Sequence, residues 1–341
     1  MRFFSLLSFA AAVALSPAVA SAQSSAPFEA ISPESQVAKM GAGVNVIGGY
    51  DAWWDGGQTQ FSLSDFGKIR TAGFSTVRIP LFAFKHLDKD DHLDADYFKR
   101  IDQVVDAALS NGLIVILDEH DFETCAKDAD ACAINLSNVW YELSEHFKSA
   151  PNSVIFELLN EPNGQVNDQI WNSWLVDLLA IVRETNPERN VIIGPTHWNS
   201  RNDLPLLKLP ENDRHIIVTF HYYDPFHFTH QGASWADPET QKLSGIRWQG
   251  KPEEVAAINA DFDKVAEWSK ASNRPIFLGE FGAYDKFGKL DDRALWTRAV
   301  SDSAHTHGFA TAYWYWDGGF GVYDAEKKVW VKPILDALIP K

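Results

Sequence analysis

The chain has 341 residues, 45% of them hydrophobic, with two cysteines and a formal net charge of −16 at pH 7. That length accommodates one large barrel or two modest domains. The acidic balance excludes nucleic acid and anionic polymers as partners, because neutralising phosphates needs clustered Lys and Arg, and it leaves a neutral polymer allowed.

Met1 to Ala22 carries a basic Arg2, an apolar centre from Phe3 to Leu15 and small residues ending in Ala20, Ser21 and Ala22. This is the pattern of a secretory signal peptide cut before Gln23, and it predicts export to a periplasm or to the medium. The apolar centre is shorter than the ~20 residues a membrane span needs, and no later segment is long and apolar enough to cross a bilayer, so no membrane partner is expected. Residues 23–341 show no Ser/Pro/Thr linker, no low-complexity tract and no short repeat. They read as one catalytic-sized domain without an appended module, expected to act as a monomer.

Short apolar or β-branched runs follow at Gly43 to Ile47, Thr76 to Ile79, Leu113 to Leu117, Val154 to Leu159, Val191 to Ile193, Ile216 to Phe220, Pro275 to Leu278 and Phe309 to Trp314. Between most of them lie segments with helical spacing: Tyr97 to Leu109, Leu136 to Phe147, Trp171 to Arg183, Val255 to Trp268 and Arg293 to His305. Eight strands alternating with crossover helices predict an α/β fold, a (β/α)8 TIM barrel. An open doubly wound sheet is the alternative, without the Gly-rich phosphate loop that usually marks one. Cys125 and Cys132 lie close together in a polar segment of an exported chain, which predicts a local disulfide, the alternative being two free thiols.

The fourth run, within SVIFELLNEPN at Ser153 to Asn163, should stop near Asn160 and Glu161, because Pro162 cannot donate a ladder hydrogen bond. That leaves both at the carboxyl end, where parallel α/β sheets bind ligands. A strand stop whose Asn and Glu only cap a turn is the plainer reading. A second ending of the same kind, PIFLGEFGAY at Pro275 to Tyr284, carries Glu280 and weighs against it. In a barrel the ends of the runs line one mouth: Arg78; Asp118, Glu119 and His120; Asn160 and Glu161; Trp198; His221 and Tyr223; Glu280; Trp316. Carboxylates, aromatics and donors from strands far apart in sequence make up a sugar site. Cleaving a glycosidic bond needs one carboxylate at the anomeric carbon and another that protonates the leaving oxygen, and Glu161 and Glu280 can supply both. Glu157 lies about 13 Å down its strand from Glu161 and reads as the partner of a cation in the barrel floor.

The strings NEP at Asn160 to Pro162, RIP at Arg78 to Pro80, HYY at His221 to Tyr223, GEFG around Glu280 and YWYWDGGFGVYD from Tyr313 to Asp324 together resemble glycoside hydrolase family five, in order and over nearly the whole of residues 23–341. The resemblance implies a retaining endo-β-1,4-glucanase of cellulase type, with β-mannanase or another β-glucanase as the alternative within the family. It implies Glu161 as general acid/base, Glu280 as nucleophile, Asn160 at the sugar 2-hydroxyl, Arg78, His120 and His221 as polar partners, Tyr223 bonded to the nucleophile and Trp316 as the platform under the sugar. It implies no cofactor. The third strand departs from the commoner pattern in carrying Asp118-Glu119-His120-Asp121, four metal-ligand types in a row. Alternation of faces lets at most two converge, so no metal is expected. A non-catalytic carbohydrate binder would not need two matched carboxylates.

Trp171 and Trp174 sit at helical spacing and predict barrel packing. Trp54, Trp198 and Trp235 fall in loops at the mouth, where stacking under pyranose rings and simple loop packing both remain open, and Trp198 and Trp235 are taken as substrate-binding. The aromatic segment from Tyr222 to Trp235 predicts one wall of a cleft.

Overall fold

The computed structural model describes residues 27–46 and 61–339. The expected leader and Trp54 lie outside the described residues. Strands β1 (Ala42–Asn45), β2 (Thr76–Leu81), β3 (Ile114–Glu119), β4 (Val154–Glu157), β5 (Val191–Ile193), β6 (Ile216–Tyr222), β7 (Ile276–Phe281) and β8 (Ala310–Tyr313) form a closed barrel in chain order. All neighbours run parallel, and β1 pairs with both β2 and β8, which excludes the open-sheet alternative.

Helices at Asp65–Ala72, Ala95–Ser110, Ala129–His146, Asp168–Thr185, Pro252–Ser272 and Leu290–Thr306 fill the crossovers. Three of them start where Asp94, Asp128 and Asn167 accept the amide N–H three residues on, satisfying a donor the helix leaves free. A further helix, Pro33–Met40, precedes β1, and its Val37 and Met40 pack against Ile116, Ile155, Ile192, Ile217, Phe277 and Ala312 inside the barrel. The amino-terminal end is thereby plugged with apolar side chains, so any ligand must approach the carboxyl ends of the strands.

Strand alternation builds the next layer. Two residues beyond Ile116 and Ile155 come Asp118 and Glu157, and from β2 comes Arg78, all fully buried. The cation expected beside Glu157 is Arg78, held in a two-pronged ion pair. Strand β4 ends at Glu157, three residues before the expected stop, so Asn160 and Glu161 stand in the loop beyond it. The chain stays close all the same, since the Asn160 amide donates to the Glu119 carbonyl at 2.8 Å.

Cys125 and Cys132 are joined, seven residues apart, tying the helix Phe122–Lys127 to Ala129–His146. Closing so short a loop stabilises by about 2.5 kcal/mol at most in the chain-entropy model. Both cysteines are fully buried within the main hydrophobic core.

Candidate active site

Arg78 is the hub of the mouth. Its Nε and Nη2 donate to the two Glu157 oxygens at 2.7 and 2.9 Å, and its Nη1 donates to Asn45 Oδ1 at 2.9 Å and Glu280 Oε1 at 2.8 Å. Nη2 also donates to Asn160 Oδ1 at 2.8 Å and lies 2.9 Å from Asp118 Oδ2. One guanidinium thus faces three buried carboxylates, and a buried excess of negative charge is relieved by holding protons. Burial pushes both Asp118 and Glu157 up to about 7 against the opposing pull of Arg78.

His120 and Asn160 extend this network. His120 Nδ1 lies 2.6 Å from Asp118 Oδ2, and its Nε2 lies 3.2 Å from Asn160 Nδ2. Burial, helped by the Arg78 charge, lowers His120 to about 4, so the ring is neutral, donates from Nδ1 and accepts at Nε2. Both ends of the Asn160 amide are then committed, which fixes its orientation. The four ligand-type residues of the third strand do not converge: Asp118 and His120 bond to each other, while Glu119 Oε1 accepts the Asp121 amide.

Glu280, at the end of β7, is held from both sides, by Arg78 at Oε1 and by the Tyr223 hydroxyl at Oε2, 2.9 Å away. Burial raises its carboxyl, and Arg78 and Tyr223 pull it back toward ionisation. Glu161 faces it across the mouth. Its backbone takes a left-handed φ of 45°, uncommon for a residue with a Cβ, and its Oε1 lies 2.7 Å from His221 Nδ1. Burial and the Glu280 charge act together on Glu161 and push it well above the ordinary carboxylate range. The Glu161 side chain nonetheless keeps 15% of its surface open, a route to solvent or substrate. One carboxylate oxygen each of Glu161 and Glu280 and a ring nitrogen of His221 lie within 4.8 Å of one another.

Seven expected residues therefore meet: Arg78, His120, Asn160, Glu161, His221, Tyr223 and Glu280. Two stand at the rim. Trp198 is 56% exposed, and Trp235 is 59% exposed with its ring edge-on to Tyr284 at 4.8 Å. The segment between Tyr222 and Trp235 forms an aromatic wall, in which Phe226 stacks on His230 at 4.1 Å and His230 meets Tyr223 at 4.9 Å. Trp171 is buried and Trp174 packs beside it at 6.5 Å, as helical spacing predicts.

Trp316 is the correction. It is 1% exposed and packed among Phe61, Tyr323 and Trp330, which leaves no ring face open for a sugar to lie on. The chain leaves the sheet after Tyr313, and the alternation that would carry Trp316 to the site does not extend past that point. Trp314 is the indole at the site, its plane within 7° of the His120 ring at 5.8 Å. Two more participants went unnoticed in the sequence. Asn45 accepts from Arg78 and donates to the Gly279 carbonyl at 3.0 Å, tying β1 to β2 and β7. Its one signal is a polar residue inside an apolar run. Asn199, which has no such signal, reaches His221 Nε2 at 3.2 Å.

The family model for cellulase (glycosyl hydrolase family 5) matches residues 37–319. Endoglucanase H of Acetivibrio thermocellus is 33% identical over 325 residues; the match covers 92% of this chain but 34% of that relative, most of which lies outside the comparison. The solved structure of a hyperthermophilic endo-β-1,4-glucanase in complex with substrate superposes with a TM-score of 0.86 at 37% identity, over 91% of this chain and 100% of its own. Thermotoga maritima Cel5A in complex with a mannotriose substrate gives a TM-score of 0.85 at 34% identity, over 90% of this chain and 100% of its own.

Proposed function

This chain belongs to glycosyl hydrolase family 5, and we propose that it is a secreted, monomeric, retaining endo-β-1,4-glucanase acting on neutral β-glucans without a metal or cofactor. The observation that carries the reading is the facing pair of carboxylates, Glu161 and Glu280, one oxygen of each lying within 4.8 Å of one oxygen of the other. Retaining glycosidases hold their carboxyl groups at about 5 to 5.5 Å, whereas inverting ones need roughly 6.5 to 9.5 Å to fit a water. Export rests on the leader pattern of residues 1–22.

The environments of the two carboxylates divide the labour. Glu161 keeps its proton through burial and the Glu280 charge, and serves as general acid. Glu280, bonded by Arg78 and Tyr223, serves as nucleophile. As Glu280 bonds to the anomeric carbon, the glycosidic bond breaks and the Glu161 proton passes to the leaving oxygen. Glu161, now ionised, takes a proton from the water that hydrolyses the glycosyl ester. Asn160, whose amide is oriented by Arg78 and His120, bonds the 2-hydroxyl in this reading, and Trp314 rather than the buried Trp316 is the platform under the sugar. Trp198 and Trp235 extend the floor for further sugar rings.

Glucose and mannose differ only at the 2-hydroxyl, and the Thermotoga relative was solved with mannotriose, so mannan cleavage is expected as a side activity. Initial rates on carboxymethyl cellulose and mixed-linkage β-glucan should exceed those on pure mannan at least ~10-fold, or about 1.4 kcal/mol in transition-state binding. Viscosity should fall well before reducing ends accumulate, as internal cleavage requires. Faster cleavage of mannan than of either glucan would make the enzyme a mannanase.

A further inference from the structure

His197, Trp198 and Asn199 form a run of three side-chain-bearing residues in left-handed conformation, with φ of 52°, 60° and 53°. Each such residue costs on the order of 1 kcal/mol or more, and strain of this kind is kept where the surroundings enforce it. The run points the Trp198 ring outward and brings the buried Asn199 amide to His221. Gly194 makes the room: a Cβ there would stand 2.1 Å from Asn199 Oδ1.

Asn199 Nδ2 faces His221 Nε2, while Asn199 Oδ1 is buried with no hydrogen-bond partner. As it stands the amide leaves one N–H and its oxygen unpaired and keeps Nδ2 on the ring nitrogen, whereas turned over it would bury two unpaired N–H donors. An NH2 group pointing at Nε2 requires that nitrogen to accept, which places the single ring proton on Nδ1, the atom 2.7 Å from Glu161 Oε1. Oε1 is then an obligatory acceptor, and a proton carried by Glu161 must sit on Oε2.

We propose that Asn199 is a positioning residue: by fixing the tautomer of His221 it places the Glu161 proton on the oxygen free to reach the leaving group. This rests on the acid/base assignment of Glu161. With the opposite tautomer, Nδ1 would accept, the proton of Glu161 would lie between Oε1 and the ring, and the departing oxygen would go without it. The same donation from Nδ1 stabilises Glu161 once it is ionised, when it serves as base in the second half of the reaction.

Asn199→Asp replaces the donor with an acceptor at nearly the same shape and tolerates a left-handed backbone. The measurement is the ratio of kcat/KM on 2,4-dinitrophenyl β-cellobioside, whose leaving group needs no proton, to that on phenyl β-cellobioside, whose leaving group does. That ratio should rise about tenfold, as fits partial loss of general-acid catalysis. Imidazole 15N shifts should move the His221 proton onto Nε2. Gly194→Ala, whose new methyl displaces the Asn199 amide, should raise the ratio in the same direction and serves if Asn199→Asp does not fold. Glu161→Ala, measured in parallel, separates the two claims. A ratio raised by Glu161→Ala but changed less than threefold in the folded Asn199 or Gly194 variant overturns the role of Asn199 alone. A ratio unchanged in Glu161→Ala overturns the acid/base assignment as well.

Discussion

Glu280→Ala is expected to lose at least ~10⁴-fold in kcat on every substrate, activated aryl cellobiosides included, a barrier increase of more than about 5 kcal/mol. No leaving group compensates for a missing nucleophile. Added azide should enter the space left by the carboxylate and give the α-glycosyl azide from a β-linked substrate, with inverted configuration. A β-azide from this variant would move the nucleophile elsewhere. The fold should survive, because Arg78 keeps Glu157 and Asp118 as partners after Glu280 is gone. Removing one of three carboxylates around a single guanidinium relieves buried negative charge, so thermal unfolding should leave Tm unchanged or raised, the common relation between a catalytic group and stability.

Glu161→Ala should behave differently on each axis. On glucan, kcat/KM should fall by roughly 10² to 10⁴, the usual worth of general-acid catalysis, while 2,4-dinitrophenyl cellobioside keeps a near-normal first step. Azide should rescue the second step with retention, giving the β-azide. The pH profile carries the sign. Glu161 must hold its proton in the first step, and its folded-state pKa is raised, so activity persists above the ordinary carboxylate range and falls as pH rises through that raised value. The alkaline limb should therefore vanish in Glu161→Ala on activated substrates. The acid limb, where Glu280 must ionise, should remain. An alkaline limb unchanged in this variant would remove Glu161 from the proton transfer.

All eight strands were legible, because each carries a short apolar run and the crossover helices show their own spacing. The carboxyl ends were harder. Strands β3, β6 and β7 continue to Glu119, Tyr222 and Phe281, beyond their apolar runs, because ladder hydrogen bonds use the backbone and tolerate polar side chains. Strand β4 does the reverse and releases the chain at Glu157, although Leu158 and Leu159 are apolar. The facing pair of carboxylates was legible because Glu161 and Glu280 lie in distinctive strings. Trp314 and Trp316, two apart in YWYWD, present the same local pattern, and only the departure of the chain from β8 separates a site indole from a core one. Asn45 and Asn199 acquire partners only on closure: Asn45 meets Arg78 across 33 positions, and Asn199 meets His221 through a run of three left-handed residues.

Whether Glu280 forms a covalent bond to the sugar can be measured directly with 2,4-dinitrophenyl 2-deoxy-2-fluoro-β-cellobioside, whose fluorine slows hydrolysis of the glycosyl ester more than its formation. Intact mass should rise by one fluorocellobiosyl group as activity is lost, and peptide mapping should place that group on the peptide containing Glu280. An adduct on Glu161, or full turnover of the reagent by an inverting route with no adduct at any time, would contradict a double displacement at Glu280.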